Sequence, residues 1–388
     1  MVPRLLRSGR GAGVTGRRPV RLFLGGDVMT GRGIDQILPT PSDPRLFEAW
    51  IRDARDYVRL AEATSGPIPR RVAATYVWGD LLADLEALAP DLRIVNLETA
   101  VTRSDAAAPK GINYRMHPAN ADVLTAARLD ACILANNHVL DWGLAGLIET
   151  MDTLRARGIG FAGAGRTRDE AWAPRILPLA GGRRLLLLAC AATDSGVPAH
   201  WAAGEATPGL AVLPHPAIGC VDAVGASLSR LRRGGDVLVV SIHWGGNWGY
   251  EVPAWQRDLA HALVERCAAD IVFGHSSHHP KGAEMHRGSL ILYGCGDLLN
   301  DYEGIGGHEA FPARTVLAHV VDIDPERARA VSCRMRPYEI RRMRLGRAGQ
   351  GAAERIGEIL ERECAALGTA ATRDAGGDIL IGAAGAVS

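Results

Sequence analysis

Asp236-Val237-Leu238-Val239-Val240-Ser241-Ile242-His243-Trp244-Gly245-Gly246-Asn247-Trp248 and, further on, Asp270-Ile271-Val272-Phe273-Gly274-His275-Ser276-Ser277-His278-His279 are the stretches whose reading decides the fold. In each, an apolar run of strand length stops at histidine and small residues. An uninterrupted apolar run of this length is the mark of a strand buried on both faces, as in a parallel sheet. In an open α/β sheet the loops that carry function lie at the carboxyl ends of the strands. Two histidine-bearing strand ends therefore predict one crevice holding several imidazoles, a pattern suited to metal binding or acid–base work.

Outward from these runs the same grammar repeats. Val20–Leu24 is a short strand that enters Gly25-Gly26-Asp27-Val28-Met29-Thr30-Gly31-Arg32-Gly33, where glycine lets the backbone turn and presents Asp27. Asp91–Leu97 leads to Glu98, and Ala131–Ala135 leads to Asn136-Asn137-His138. Further strands are expected at 184–191 and 290–293, and helices at 81–88, 119–128, 143–157, 217–232 and 254–269. Alternation of strand and helix predicts an α/β fold. Residues 314–345 read as antiparallel strands. Ile356, Ile359, Leu360, Cys364 and Leu367 form the apolar stripe of a helix. The expected organisation is a disordered basic leader over 1–19, one domain over 20–345, a C-terminal helix within 346–368, and a flexible Ala/Gly-rich tail over 369–388.

With 388 residues, 47% of them hydrophobic and 22% charged, the chain can bury a large core. A net charge of +1 offers no global attraction to nucleic acid or an acidic membrane. Seven scattered cysteines with no CxxC pair suit reduced thiols and a cytoplasmic setting. Residues 1–19 have too little apolar length for a secretory signal, and no stretch reaches the roughly 20 apolar residues of a membrane span. The expectation is therefore no membrane anchor and no nucleic-acid partner, with homo-oligomerisation left open.

The strand ends in chain order carry Asp27, Glu98, Asn137 with His138, His243, and His275 with His278. Singly, each has an ordinary structural reading: an Asp after a Gly-rich turn caps or turns the chain, and a His at a strand end satisfies a local hydrogen bond. Together they form a mixed oxygen and nitrogen donor set, suited to a borderline divalent ion of the Mn, Fe or Zn class.

The ordered motifs, Gly-Asp27-Val-Met-x-Gly-Arg, Asn96-Leu97-Glu98, Asn136-Asn137-His138 with Asp141 and Gly143, Ser241-x-His243-Trp244-Gly245 and Gly274-His275-x-x-His278, resemble the capsule-biosynthesis CapA family. That family lies within the calcineurin-like metallophosphoesterase superfamily, and the resemblance covers about residues 20–305. It implies a four-layer αββα sandwich with its site at the carboxyl ends of the sheets. It also implies Asp27, Glu98, Asn137, His243, His275 and His278 as metal ligands, and His138 where phosphoesterases keep a general acid. Met29 stands where that superfamily has a metal-binding histidine, and Glu98 where it has a bridging aspartate. The implied metal content is therefore two ions, one, or none.

Other residues extend the site. Arg115 is a candidate anion clamp, and Trp244 and Trp248 are candidate pocket walls for a peptide or phosphoester substrate. Residues 301–309 read as a lid carrying Glu303 and His308. Two chemistries follow. In the first, a metal-dependent hydrolase cleaves a phosphoester or a glutamyl or other peptide amide, with His138 protonating the leaving group. In the second, a metal-independent peptide epimerase uses Asp27 and His308 as an acid–base pair.

Overall fold

Two β-sheets organise the chain in the computed structural model, which describes residues 18–215, 217–307, 310–312, 314–324 and 329–383. The first runs in the order Thr369–Arg373, Ile379–Ala383, Arg329–Ile340, Thr315–Asp324, Val20–Val28, Leu92–Leu97, Ala131–Ile133 and Gly160–Ala162, with Asp297–Leu299 also beside Val20–Val28. Val20–Val28 and the strands after it in that order are parallel, while the C-terminal half is antiparallel. The second sheet runs Ala283–His286, Ser289–Leu292, Ile271–His275, Val237–His243, Arg184–Ala191 and Arg175–Pro178. Its central four strands are parallel. Strands and helices mix throughout, so the fold is α/β, as the alternation predicts.

Period-2 geometry explains how the second sheet is covered. Leu185, Leu187, Val237, Val239, Ile271 and Phe273 join the core that also holds Leu22, Leu24 and Ile94 of the first sheet. Their chain neighbours Leu186, Leu188, Leu238, Val240 and Val272 point the other way. There they meet Val221 and Leu228 of helix Val221–Leu231, and Leu259 and Leu263 of helix Ala254–Cys267. Both faces of the sheet are apolar because both are covered.

The tail departs from expectation. Residues 369–383 form a hairpin, not a flexible segment: Thr369–Arg373 pairs with Ile379–Ala383, which pairs with Cys333–Met335. Its Ala/Gly-rich sequence hides the signal, because two short strands need a pre-existing edge to pair with. Ile379, Ile381 and Ala371 are buried. Arg334 pairs with Asp374 at 2.6 Å and Arg336 with Asp378 at 2.7 Å. The expected C-terminal helix is Gln350–Ala365. Removing residues 369–388 is expected to cost ~3–5 kcal/mol, given roughly 1.5–3 kcal/mol per buried large aliphatic side chain. Denaturant unfolding of the truncated chain checks this; an unchanged midpoint would show that the hairpin adds no stability. Residues 1–17, most of the expected leader, lie outside the described residues.

Candidate metal-type acid–base site

Strand register brings the polar strand ends together. His243 and His275 are the last residues of neighbouring parallel strands and face each other in register. Asp27 is in register with Asn96 on one side and with Asp297 on the other. Gly26 makes the second pairing close: a Cβ there would lie 1.8 Å from the Gly296 carbonyl oxygen. The Asp27 N–H donates to that same oxygen at 3.1 Å. The two sheets then meet at the site, with Asp27 Oδ1 3.9 Å from His275 Nδ1.

An amide ladder holds the carboxylates. Asn96 Nδ2 donates to Asp27 Oδ1 at 2.7 Å and to Glu98 Oε2 at 2.9 Å. Asn136 Nδ2 donates to Asn96 Oδ1 at 3.0 Å, and its own oxygen accepts from the N–H groups of His138 and Val139. Asn300 Nδ2 donates to Asp297 Oδ2 at 2.7 Å, while Asp297 Oδ1 lies 2.9 Å from His278 Nδ1. Asp27 Oδ2 is buried and meets no protein donor.

The imidazoles are held from behind. His243 Nδ1 and His275 Nδ1 lie 2.8 Å apart, with Asn137 Oδ1 3.1 Å from His243 Nε2 and Ser241 Oγ 2.7 Å from His275 Nε2. When Asn137 and Ser241 accept from the Nε2–H groups, both Nδ1 lone pairs converge beside Asp27. Ligand atoms of Asp27, His243 and His275 lie within 4.8 Å of one another, as do those of Asp27, His278 and Asp297. Asp27 belongs to both groups. Between the two histidine pairs, Ser276 takes φ 111°, a rare value for a residue with a Cβ, and turns the chain from His275 towards His278.

His138 forms a dyad with Asp141. Its Nδ1 is 2.7 Å from Asp141 Oδ2, and its Nε2 faces Glu98 Oε1 at 3.9 Å. Lys110 Nζ pairs with Asp141 Oδ1 at 2.8 Å and donates to the Asn137 carbonyl oxygen.

Burial dominates the electrostatics. It pushes the Asp27 and Glu98 carboxyls up, and their proximity to other carboxylates adds to the shift. It pulls His243 far down, His275 to about 3 and His138 to about 4, although Asp141 opposes the last. Burial lowers His278 too, but Asp297 and Asp27 outweigh it and hold that imidazole above its usual range. Neutral imidazole lone pairs beside carboxyl groups whose ionisation a cation would favour make a donor set that fits a divalent ion.

A cleft of about 1030 Å³ opens beside His278, walled by Tyr114, Trp248, Tyr302 and Phe311. Trp248 stacks on His279 with an interplanar angle of 14°. Arg32 also lines the cleft, but Asp301 and Glu48 bind its guanidinium at 2.9 Å each, so it offers little net charge. Nearer solvent the lining includes Arg314, Glu339 and Arg355.

Asp27, Glu98, Asn137, His138, His243, His275 and His278 thus share one region, and Trp248 reaches the cleft. Three expectations are corrected. Trp244 follows His243, so alternation turns it to the opposite face, where it stacks on Tyr293 and donates to the Tyr293 carbonyl at 2.9 Å. Arg115 is occupied by Ser104 O and Asp105 at 2.8 Å and lies 3.9 Å over the Trp142 ring. Glu303 accepts from Ser65 Oγ and Met343 N at 2.7 Å each, which pins the segment read as a lid. His308 lies outside the described residues. Asp297 was the main omission. Its signal was present, since Gly294-Cys295-Gly296-Asp297 repeats the glycine–aspartate strand ending of Gly25-Gly26-Asp27. Lys110 and Tyr302 come from loops and had no signal.

Among known proteins, a sequence profile described as bacterial capsule synthesis protein PGA_cap matches residues 21–302. A probable polyglutamine synthesis accessory protein of Mycobacterium tuberculosis (strain H37Rv) is 45% identical over 345 residues, covering 88% of this chain and 90% of that protein. PGA biosynthesis protein CapA of Bacillus subtilis is 27% identical over 280 residues, covering 71% and 62% respectively. Capsule biosynthesis protein CapA of Bacillus anthracis is 23% identical over 276 residues, covering 71% and 58%.

Proposed function

The chain belongs to the bacterial capsule synthesis protein PGA_cap family, and from that premise we propose that it is a metal-dependent hydrolase of glutamyl or peptide amides in polyglutamate-type polymer metabolism. The observation that carries this reading is the sharing of Asp27 between two convergent donor groups. The stacked sheets, with helices over the outer face of the second, support assignment to the calcineurin-like four-layer αββα sandwich. Asp27, Glu98, His243 and His275 would hold one ion, with Asn137 orienting His243 from behind in place of the ligand role the resemblance implies, and Asp27, His278 and Asp297 a second.

A bound divalent ion supplies Lewis-acid polarisation of the scissile carbonyl or phosphoryl oxygen. The protein groups do the rest. The Asp141 carboxylate accepts from His138 Nδ1–H and so leaves Nε2 as the proton acceptor facing the cluster. Burial keeps His138 neutral near pH 7, so its first role is to take a proton from attacking water; it then returns that proton to the leaving amine. Trp248 and Tyr302 orient the chain being cut, and the cleft volume suits an oligomer better than a small phosphate ester.

Metal analysis of protein purified without added ions, followed by turnover of γ-glutamyl oligomers and of bis(p-nitrophenyl) phosphate with and without chelator, tests this. Amide cleavage lost on chelation and restored by Mn2+ or Zn2+ is the expected result. Faster phosphodiester turnover would move the substrate class to phosphoesters. Solvent deuterium entering a peptide Cα, unaffected by chelation, would replace hydrolysis with isomerisation.

A further inference from the structure

The cleft changes character along its walls. Beside His278 they are aromatic: the Trp248 and Tyr302 rings lie 5.5 and 5.3 Å from that imidazole. Away from it the cleft shares Thr64, Arg314 and Glu339 with a smaller cavity of about 220 Å³, which Arg341 also lines. Strand pairing puts these groups together. Thr315 and Glu339 are in register on antiparallel neighbours, so Arg314, just before one strand, and Arg341, just after the other, share one end of the sheet. The Ile340 N–H donates to the Arg314 carbonyl at 3.0 Å and fixes that end. Helix Gln350–Ala365 adds Arg355 and Ile359, four residues apart on one helical face, and both line the cleft.

We propose that Arg314, Arg341 and Arg355 form a carboxylate-binding subsite of the cleft, which holds a polyacidic chain by carboxylates remote from the bond being cut. This deepens the hydrolase reading and rests on the cleft being the path of the polymer. Three guanidiniums face one carboxylate there, so the lining carries a positive excess. Glu339 is engaged by the Gly349 N–H at 3.2 Å. Among the described residues, no side chain ion-pairs or hydrogen-bonds with the Arg314, Arg341 or Arg355 guanidinium. Elsewhere on the same strand arginines are matched, Arg334 by Asp374 and Arg336 by Asp378.

The ligand chemistry follows from the lining. A planar guanidinium fork matches a carboxylate bidentately. A glutamyl polymer carries one carboxylate per unit, separated by methylenes. Trp248, Phe311 and Ile359 offer apolar wall to the methylenes, and the arginines meet the carboxylates. Solvated arginines on a convex face would need no such explanation, but these three line concave space. Each exposed ion pair alone contributes little. Several on one chain act together, because the first contact raises the local concentration for the next. All three arginines follow Asp297, the last of the metal-type donors along the chain. Substrate reading and bond cleavage therefore draw on separate segments, and the subsite sets affinity and register rather than the chemical step.

The test titrates full-length, metal-stripped protein into a fluorescently labelled γ-glutamyl oligomer and follows anisotropy, so that no turnover intervenes. Arg314→Gln/Arg355→Gln is expected to bind about 10-fold more weakly and with less salt dependence than the parent. Both positions are exposed, so the fold should survive, and unfolding midpoints check that. Arg314→Lys/Arg355→Lys keeps the charge without the fork and should recover only part of the loss. Arg230→Gln/Arg233→Gln removes the same charge from an exposed surface at the end of helix Val221–Leu231 and should bind like the parent. Equal affinity of the parent and Arg314→Gln/Arg355→Gln, an equal loss in Arg230→Gln/Arg233→Gln, or tighter binding of inorganic polyphosphate than of the glutamyl oligomer overturns the proposal. Arginine-dependent binding without amide cleavage would overturn the hydrolase reading and leave the subsite standing. Amide cleavage with binding indifferent to Arg314 and Arg355 would do the reverse.

Discussion

Asp27→Asn is expected to lower divalent-metal affinity of the cleft by more than about 100-fold, beyond the range that loss of an outer-shell partner alone produces. Asp27 is the residue common to both donor groups, and its Oδ2 is the oxygen without a protein partner. Asparagine keeps the shape and still accepts from Asn96 through its oxygen, so the strand end should not rearrange. The metal-free variant is expected to be at least as stable as the metal-free parent at neutral pH. The folded-state carboxyl of Asp27 titrates above its unfolded value, chiefly through burial and then through Asp297. Such a group destabilises the fold increasingly as pH rises past its unfolded pKa, and asparagine removes that cost. Calorimetric metal titration and chelator-treated unfolding curves at pH 7 measure the two effects. Undiminished metal binding in a folded variant would remove Asp27 from the ligand set; a metal-free variant much less stable than its parent would make Asp27 a packing residue.

Met29→His is expected to raise the metal content of the cleft by about one equivalent. Met29 is fully buried where the family resemblance expects an imidazole, and a thioether is a poor ligand for hard or borderline ions. The Tyr302 hydroxyl lies 3.5 Å from the Met29 sulfur and 3.5 Å from His278 Nε2. A histidine there would enter the pocket shared by His278, Asp297 and Asp27, with Tyr302 available to orient it. The change is near neutral in volume, so the fold should survive. Metal stoichiometry beside turnover of bis(p-nitrophenyl) phosphate is the readout. A folded variant with no added metal would show that the Asp27–His278–Asp297 group does not ligate an ion.

Much of this site was legible along the chain because its residues sit at the ends of apolar runs. Burial on both faces forces Val237–Val240 and Ile271–Phe273 to be continuously apolar, so the small and polar residues that follow, ending in His243 and His275, stand out. His243, His275, Glu98 and Asp27 were visible for that reason. Arg115 and Trp244 misled because residue type says nothing of direction. An arginine claimed by Ser104 and Asp105 reads like a free one, and the residue after a strand-end histidine points to the other face.

Local periodicity, with the rule that polar groups are not buried unpaired, is enough for the α/β class, the polar strand ends and a helix within 346–368. Long-range packing places Asp297 beside Asp27, brings Lys110 and Tyr302 to the site, sets residues 369–383 on a sheet edge and stacks His261 on His286. Each of those depends on register between segments distant in the chain, and register is set by the fit of whole faces against each other. The hairpin at 369–383 has too little apolar character to form alone; the edge offered by Cys333–Met335 makes it a strand pair.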